Sequence, residues 1–131
     1  MKPTVIHPAD ITPHDRGHGV RTTPLVTPET GATEFLNGTT EFAAGAGLPL
    51  HSHNCEESVL VLEGLAIFDC GDQSIDMDPG DITWVPPNVI HRFRNRGGTT
   101  MRILWTYGRA DADRTRADTG ETSAIAAERR P

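Results

Sequence analysis

A surplus of positive charge is missing from this sequence. Its 131 residues carry 12 lysines and arginines against 18 aspartates and glutamates, a net charge of −6. Such a chain has no electrostatic reason to approach a phosphate backbone or an anionic lipid surface, so neither nucleic acid nor membrane partners are expected. Long apolar runs are missing as well. None approaches the roughly 20 residues that cross a bilayer. The opening Met1–Pro8 lacks the apolar core of a secretory leader, and a cytoplasmic protein is expected. Cysteine is scarce: Cys55 and Cys70 form no Cys-x-x-Cys pattern and give no disulfide framework. Each reads as a small apolar side chain, although Cys55 stands close to the chemistry-bearing residues below. Before residue 110 no segment sustains a helical period, which argues against an all-α architecture.

What the chain has is punctuation. Its 13 glycines and 10 prolines divide it into short segments, the mark of an all-β domain. Strands are expected at Val20–Val26, Thr33–Ala43 (with a tight turn at Asn37-Gly38), Leu48–His53, Ser58–Glu63, Leu65–Cys70, Ser74–Met77, Ile82–Val85, Val89–Arg94 and Met101–Tyr107. Many short strands at this spacing form a sandwich or closed barrel, of which the jelly roll is the common double-sheet solution. Residues 20–107 would form this β-barrel. Residues 1–19 and 108–131, richer in charge, Pro, Ala and Thr, read as N- and C-terminal arms that pack on the barrel or stay mobile, either of which could lid its mouth, with a helical turn or two at Ala124–Arg130.

Two segments carry chemistry. In the first, His51 and His53 are one residue apart, so on a strand both point to one face, and Glu57 shares that parity if the strand resumes in phase after Asn54-Cys55-Glu56. Two imidazoles and a carboxylate on one face form a metal-ligand set. A pair of surface histidines beside an acidic turn is the alternative. Glu56 is the rival carboxylate, with the wrong parity. In the second segment His91 and Phe93 share one face while Arg92 and Arg94 take the other, placing a third imidazole on a neighbouring strand. A hydrogen-bonded core histidine is the alternative there. His7, His14 and His18, in the N-terminal arm, read as solvated or locally bonded.

Together the segments resemble the two signature motifs of the cupin superfamily. Gly45, His51, His53, Glu57 and Gly64 fit the first motif at every fixed position. Gly80, Pro86, His91 and Asn95 fit the second, with Asn88 where the family usually has Gly. Asn tolerates positive φ better than most residues, which keeps that turn plausible. The resemblance implies a cupin-type jelly-roll β-barrel that holds one divalent transition metal (Fe, Mn, Ni, Co or Zn) through His51, His53, Glu57 and His91, with Gly45, Gly64 and Gly80 as turn residues.

Such an ion, with positions left for substrate, suits a metal-dependent enzyme acting on a small oxygenated and anionic metabolite. Oxygenase (dioxygenase) chemistry and non-redox isomerase, cyclase, decarboxylase or lyase chemistry both remain open, as does a non-catalytic binding or sensing module. Glu57 and Tyr107 are the candidate catalytic groups, Tyr107 because a buried phenol needs a partner and can act as an acid. Phe42, Val59, Val61, Trp84, Phe93 and Trp105 are expected to join Tyr107 in the interior, and Arg21 or Arg102 would clamp a substrate carboxylate if turned inward. Leu60 and Leu62 alternate with Val59 and Val61, so both faces of that strand are apolar; a homodimer is expected to cover the outer one.

Overall fold

Where the sequence alternates apolar and polar side chains, the chain pairs into sheet. The computed structural model describes residues 2–126. Its strands are β1 (His14–Gly17), β2 (Val20–Val26), β3 (Leu36–Phe42), β4 (His51–Ser52), β5 (Glu57–Glu63), β6 (Ala66–Cys70), β7 (Gln73–Met77), β8 (Ile82–Val85), β9 (His91–Asn95), β10 (Met101–Tyr107), β11 (Asp113–Arg116) and β12 (Thr122–Ala124). They form two six-stranded sheets, ordered β1-β2-β3-β10-β5-β8 and β12-β11-β4-β9-β6-β7. All pairings are antiparallel, and the two sheets face each other as a jelly-roll sandwich without joining edge to edge into a hydrogen-bonded barrel. Among the described residues no helix is long and apolar enough to cross a membrane.

β3, β5 and β10 alternate strictly inward and outward over most of their lengths. Leu36, Phe42, Val59, Val61, Met101 and Ile103 fill the space between the sheets. Each such side chain contributes about 1.5–3 kcal/mol by leaving water. The buried polar atoms among them are paired: Trp105 Nε1 donates to Thr40 Oγ1 at 2.9 Å, and Thr40 and Thr22 share a hydroxyl contact at 3.1 Å.

Three expectations need correction. Asn37-Gly38 is no turn, because β3 runs straight through it. Gly38 is required there for close approach: a Cβ would collide with the Trp105 ring and stand 2.6 Å from the Thr23 carbonyl oxygen. Trp84 does not face the interior; it is 67% exposed, and its indole donates to Glu56 Oε1 at 2.7 Å on the outer surface. Arg21 and Arg102 take the ordinary outward orientation, to Glu41 at 2.6 Å and Glu63 at 4.0 Å across their ladders, so the condition for a carboxylate clamp is not met. Finally, β1, β11 and β12 lie in the segments expected as arms: β1 extends one sheet and β11 hydrogen-bonds to β4 in the other. Ala124 ends β12, and the rest of the expected helical turn at Ala124–Arg130 falls mostly outside the described residues.

The turns that deliver the site follow the motif residues. Gly45, Gly64 and Gly80 all have positive φ, and Asn88 adopts φ 64°. At Gly64 a Cβ would sit 2.6 Å from the Thr100 carbonyl oxygen, so only glycine fits. Asn95 clips its own turn: its amide donates to the carbonyls of Phe42, Ala43 and Thr99, and its Oδ1 accepts from Gly97 N–H.

Candidate metal centre

Burial alternates without a break from His51 to Glu57: His51, His53, Cys55 and Glu57 are buried, and the residues between them are not. The chain nevertheless changes sheets on the way. β4 carries His51 in one sheet and β5 carries Glu57 in the other, so the parity that seemed to place them on one strand face places them on two facing inner surfaces. His91 is the direct cross-strand partner of His51, and Tyr107 that of Glu57. The outer face of β9 is anchored by Asp69, whose carboxylate accepts from Arg92 Nε at 2.8 Å, Arg94 Nε at 2.6 Å and Ser74 Oγ at 2.6 Å. Arg94, with Ser74 and Arg92, holds the Asp69 carboxyl well below the usual carboxylate range against the opposing effect of burial.

One nitrogen from each of His51, His53 and His91 lies within 4.8 Å of the other two. In all three rings Nδ1 meets a main-chain carbonyl: Pro49 at 2.7 Å for His51, Asp113 at 2.7 Å for His53 and Val89 at 2.8 Å for His91. A carbonyl only accepts, so each Nδ1 carries a proton, which leaves Nε2 as the nitrogen each ring turns into the site. This is the arrangement that orients imidazoles for a metal. Glu57 stands among them, its Oε1 2.8 Å from His91 Nε2 and its Oε2 3.4 Å from His53 Nε2. His53 Nε2 is buried and forms no hydrogen bond among the described residues. Several lone pairs thus face one another in a space closed to water, and they are compatible only if a cation lies between them, whether a proton or a metal ion. The three histidines are positioned to hold a metal.

The electrostatics agree. Burial, and then the positive charge of Arg114, pushes His51 down to about 2, so its lone pair stays available at neutral pH. Burial alone would raise Glu57, but where a proton lies between its oxygens and the Nε2 atoms of His53 and His91, the resulting hydrogen bonds and positive charge outweigh burial and hold it ionised. Tyr107 is buried, with its ring centroid 4.5 Å from that of His53. Phe68 and Phe93 pack against His91 at 6.0 and 6.1 Å between centroids and keep that side dry.

The candidate residues therefore meet, apart from the outward-facing Trp84, Arg21 and Arg102. Glu56 points away, as its parity requires. Cys55 is buried in the core, where loss of solvent raises its thiol and keeps it protonated. Sequence reasoning missed the contribution of the C-terminal segment. Asp113 supplies the carbonyl that orients His53 and exchanges hydrogen bonds with Asn54, and Arg114 reaches the site electrostatically. Asp113–Arg116 contains no apolar residue, so no alternation marked it as a strand.

A double-sheet β fold with an interior histidine cluster defines a class of metal-binding jelly rolls. The family model for the cupin domain matches residues 38–107, and the chain belongs to that family. It is 32% identical over 108 residues to Polyketide synthase CurC of Streptomyces cyaneus, spanning 80% of this chain and 69% of that protein. It is 33% identical over 101 residues to Protein SchB of Streptomyces halstedii, spanning 76% of this chain and 73% of that one. Among solved structures, the polyketide cyclase RemF from Streptomyces resistomycificus superposes with a TM-score of 0.75 at 22% identity, over 95% of this chain and 86% of that one. KdgF from Halomonas sp. gives 0.71 at 15% identity, over 84% and 97%. At these identities the two structures speak for the fold alone.

Proposed function

We propose that this protein is a metal-dependent enzyme that binds one divalent ion through His51, His53, His91 and Glu57 and promotes non-redox enolisation and ring closure of a small polyketide-type β-diketone. The observation that carries the reading is the fixing of all three Nδ1–H groups by main-chain carbonyls, which leaves three Nε2 atoms beside one buried carboxylate. The similarity to Polyketide synthase CurC supports the substrate class.

A divalent ion (Zn, Fe, Mn, Ni or Co) bound there supplies Lewis acidity that polarises a carbonyl and acidifies the adjacent C–H. The chain's own groups do the rest. Main-chain carbonyls keep the imidazoles from rotating. The Glu57 carboxylate, through the oxygen that does not hold the ion, takes the proton leaving the acidified carbon. Tyr107, its cross-strand partner, donates a proton to the oxygen that gains charge as the new C–C bond forms, and the proton on Glu57 then returns to the phenol. Phe68 and Phe93 exclude the water that would compete for the reacting carbonyl.

The same donor set suits an oxygenase, and metal exchange separates the two chemistries. The protein is loaded with Zn(II) under argon and, in parallel, with Fe(II) in air, and each form is mixed with linear di- and triketones. Product formation under argon supports ring closure. Turnover confined to iron with matching O₂ consumption overturns it, and binding without turnover in either form selects a binding module.

A further inference from the structure

Beside the metal centre lies a cavity of about 180 Å³, walled by His51 itself, Leu48, His18 and three arginines, Arg16, Arg114 and Arg116. Cross-strand register sets its polarity. Arg116 pairs with His51 and Thr115 with Ser52, so Arg114 and Arg116 turn to the same sheet face as His51 and His53. Arg16 arrives from β1, on the edge of the opposite sheet. None of the described lining residues is acidic, although acidic residues outnumber basic ones 18 to 12 in the chain. Arg116 is engaged by Asp118 at 2.7 Å and stays 45% exposed, which puts it at the rim, whereas Arg114 is half-buried. Val20, Leu48 and Pro49 give the cavity an apolar side. All three arginines lie outside residues 38–107, so the cavity's positive charge comes from this chain's terminal segments, while Leu48, Pro49 and His51 belong to the part matched by the family.

We infer that this cavity is an anion subsite in which Arg114, with Arg16 and Arg116 at its rim, holds the carboxylate of a keto acid whose diketone end lies at His51, His53 and His91. A guanidinium fork matches a carboxylate with two parallel hydrogen bonds, and the apolar side accommodates a short methylene spacer. This assignment rests on the diketone reading above and adds to it that the substrate is an acid with its carboxylate some carbons away from the reacting ketones.

The test titrates the metal-loaded protein calorimetrically with succinylacetone, a β-diketone bearing a remote carboxylate, and with its methyl ester. Wild type is expected to bind the acid about ten- to a hundredfold more tightly than the ester, the worth of a hydrogen-bonded charge. Arg114→Gln should erase that preference while ester affinity holds, and Arg114→Lys should restore part of it. Unchanged metal content and melting temperature show that the variants are folded. Equal binding of acid and ester by wild type, or an acid preference that survives Arg114→Gln, overturns the subsite and leaves the diketone reading standing. Binding of heptanoate, which has the carboxylate but no diketone, as tightly as succinylacetone, and its loss in Arg114→Gln, keeps the subsite and removes the diketone reading. Binding of neither succinylacetone nor its ester removes both.

Discussion

His91→Gln is the most informative single change at the metal centre. His91 is fully buried, contacts Glu57 at 2.8 Å and has its ring centroid 4.8 and 5.5 Å from those of His51 and His53, so it stands at the middle of the donor set. Glutamine roughly keeps the volume and offers an amide N–H to the Val89 carbonyl, which limits damage to the metal-free fold. Ligand binding stabilises the native state by RT ln(1 + [L]/Kd), about 2.7 kcal/mol when free metal is a hundredfold above Kd. For a chain of this length that is a rise in Tm of roughly 10 °C. Loss of residues that merely orient a ligand costs about 10–100-fold in affinity, so loss of the ligand itself should cost at least the larger factor. At the same metal concentration the variant then retains about 0.4 kcal/mol, a rise of only 1–2 °C. Scanning calorimetry of chelator-treated protein with and without added Zn(II), paired with elemental analysis, reads both quantities. An equal metal-induced shift in wild type and variant would refute the placement of His91 in the site. No shift in wild type, with less than about 0.1 metal equivalents, would refute the site as a whole.

Four further outcomes are expected. Tyr107→Phe should lower kcat by about 10²–10⁴-fold with metal content unchanged, as measured by single-turnover assay and elemental analysis. Gly38→Ala should cost about 1–3 kcal/mol by forcing the Trp105 ring aside, seen as a lower denaturant midpoint with an unchanged slope. Asp69→Asn should be less stable than wild type at neutral pH. The Asp69 carboxyl titrates below its ordinary value in the folded state, so its contribution is complete above the unfolded value of about 3.9 and fades as pH falls below it; the two melting curves should converge in acid. A second copy of the chain is our proposal for the cover of the outer apolar face, where Leu62, Ile82 and Trp84 are 38%, 64% and 67% exposed. Equilibrium ultracentrifugation should give a dimer that Trp84→Glu converts to monomer, and a purely monomeric wild type would remove the proposal.

The strands were legible where side-chain alternation had a buried face to report. Val20–Val26, Ile82–Val85 and Met101–Tyr107 have the expected bounds. The polar strands β1, β11 and β12 were not legible, because a strand such as Asp-Arg-Thr-Arg spends its side chains on ions and cavities and shows no hydrophobic period. Asn37-Gly38 misled because the same dipeptide serves a tight turn and a tight crossing, and only the Trp105 ring, distant in sequence, decides between them. Trp84 misled for a related reason: its bulk suggested the core, while its position beside the outward-facing Ser58 put it in solvent. The histidine cluster could be read from spacing because alternation survives the passage between sheets. The carbonyls that orient the rings could not, since main-chain partners leave no trace in residue type.

That passage between sheets has a mechanical side. His51, His53 and His91 belong to one layer of the sandwich and Glu57 to the other, with no hydrogen-bonded strand joining the layers at that point. An ion shared by all four would act as a rivet through the sandwich. Amide exchange in β5 and β9 should then slow together on metallation, although the two strands lie in different sheets, and a metal-starved protein would breathe along that seam.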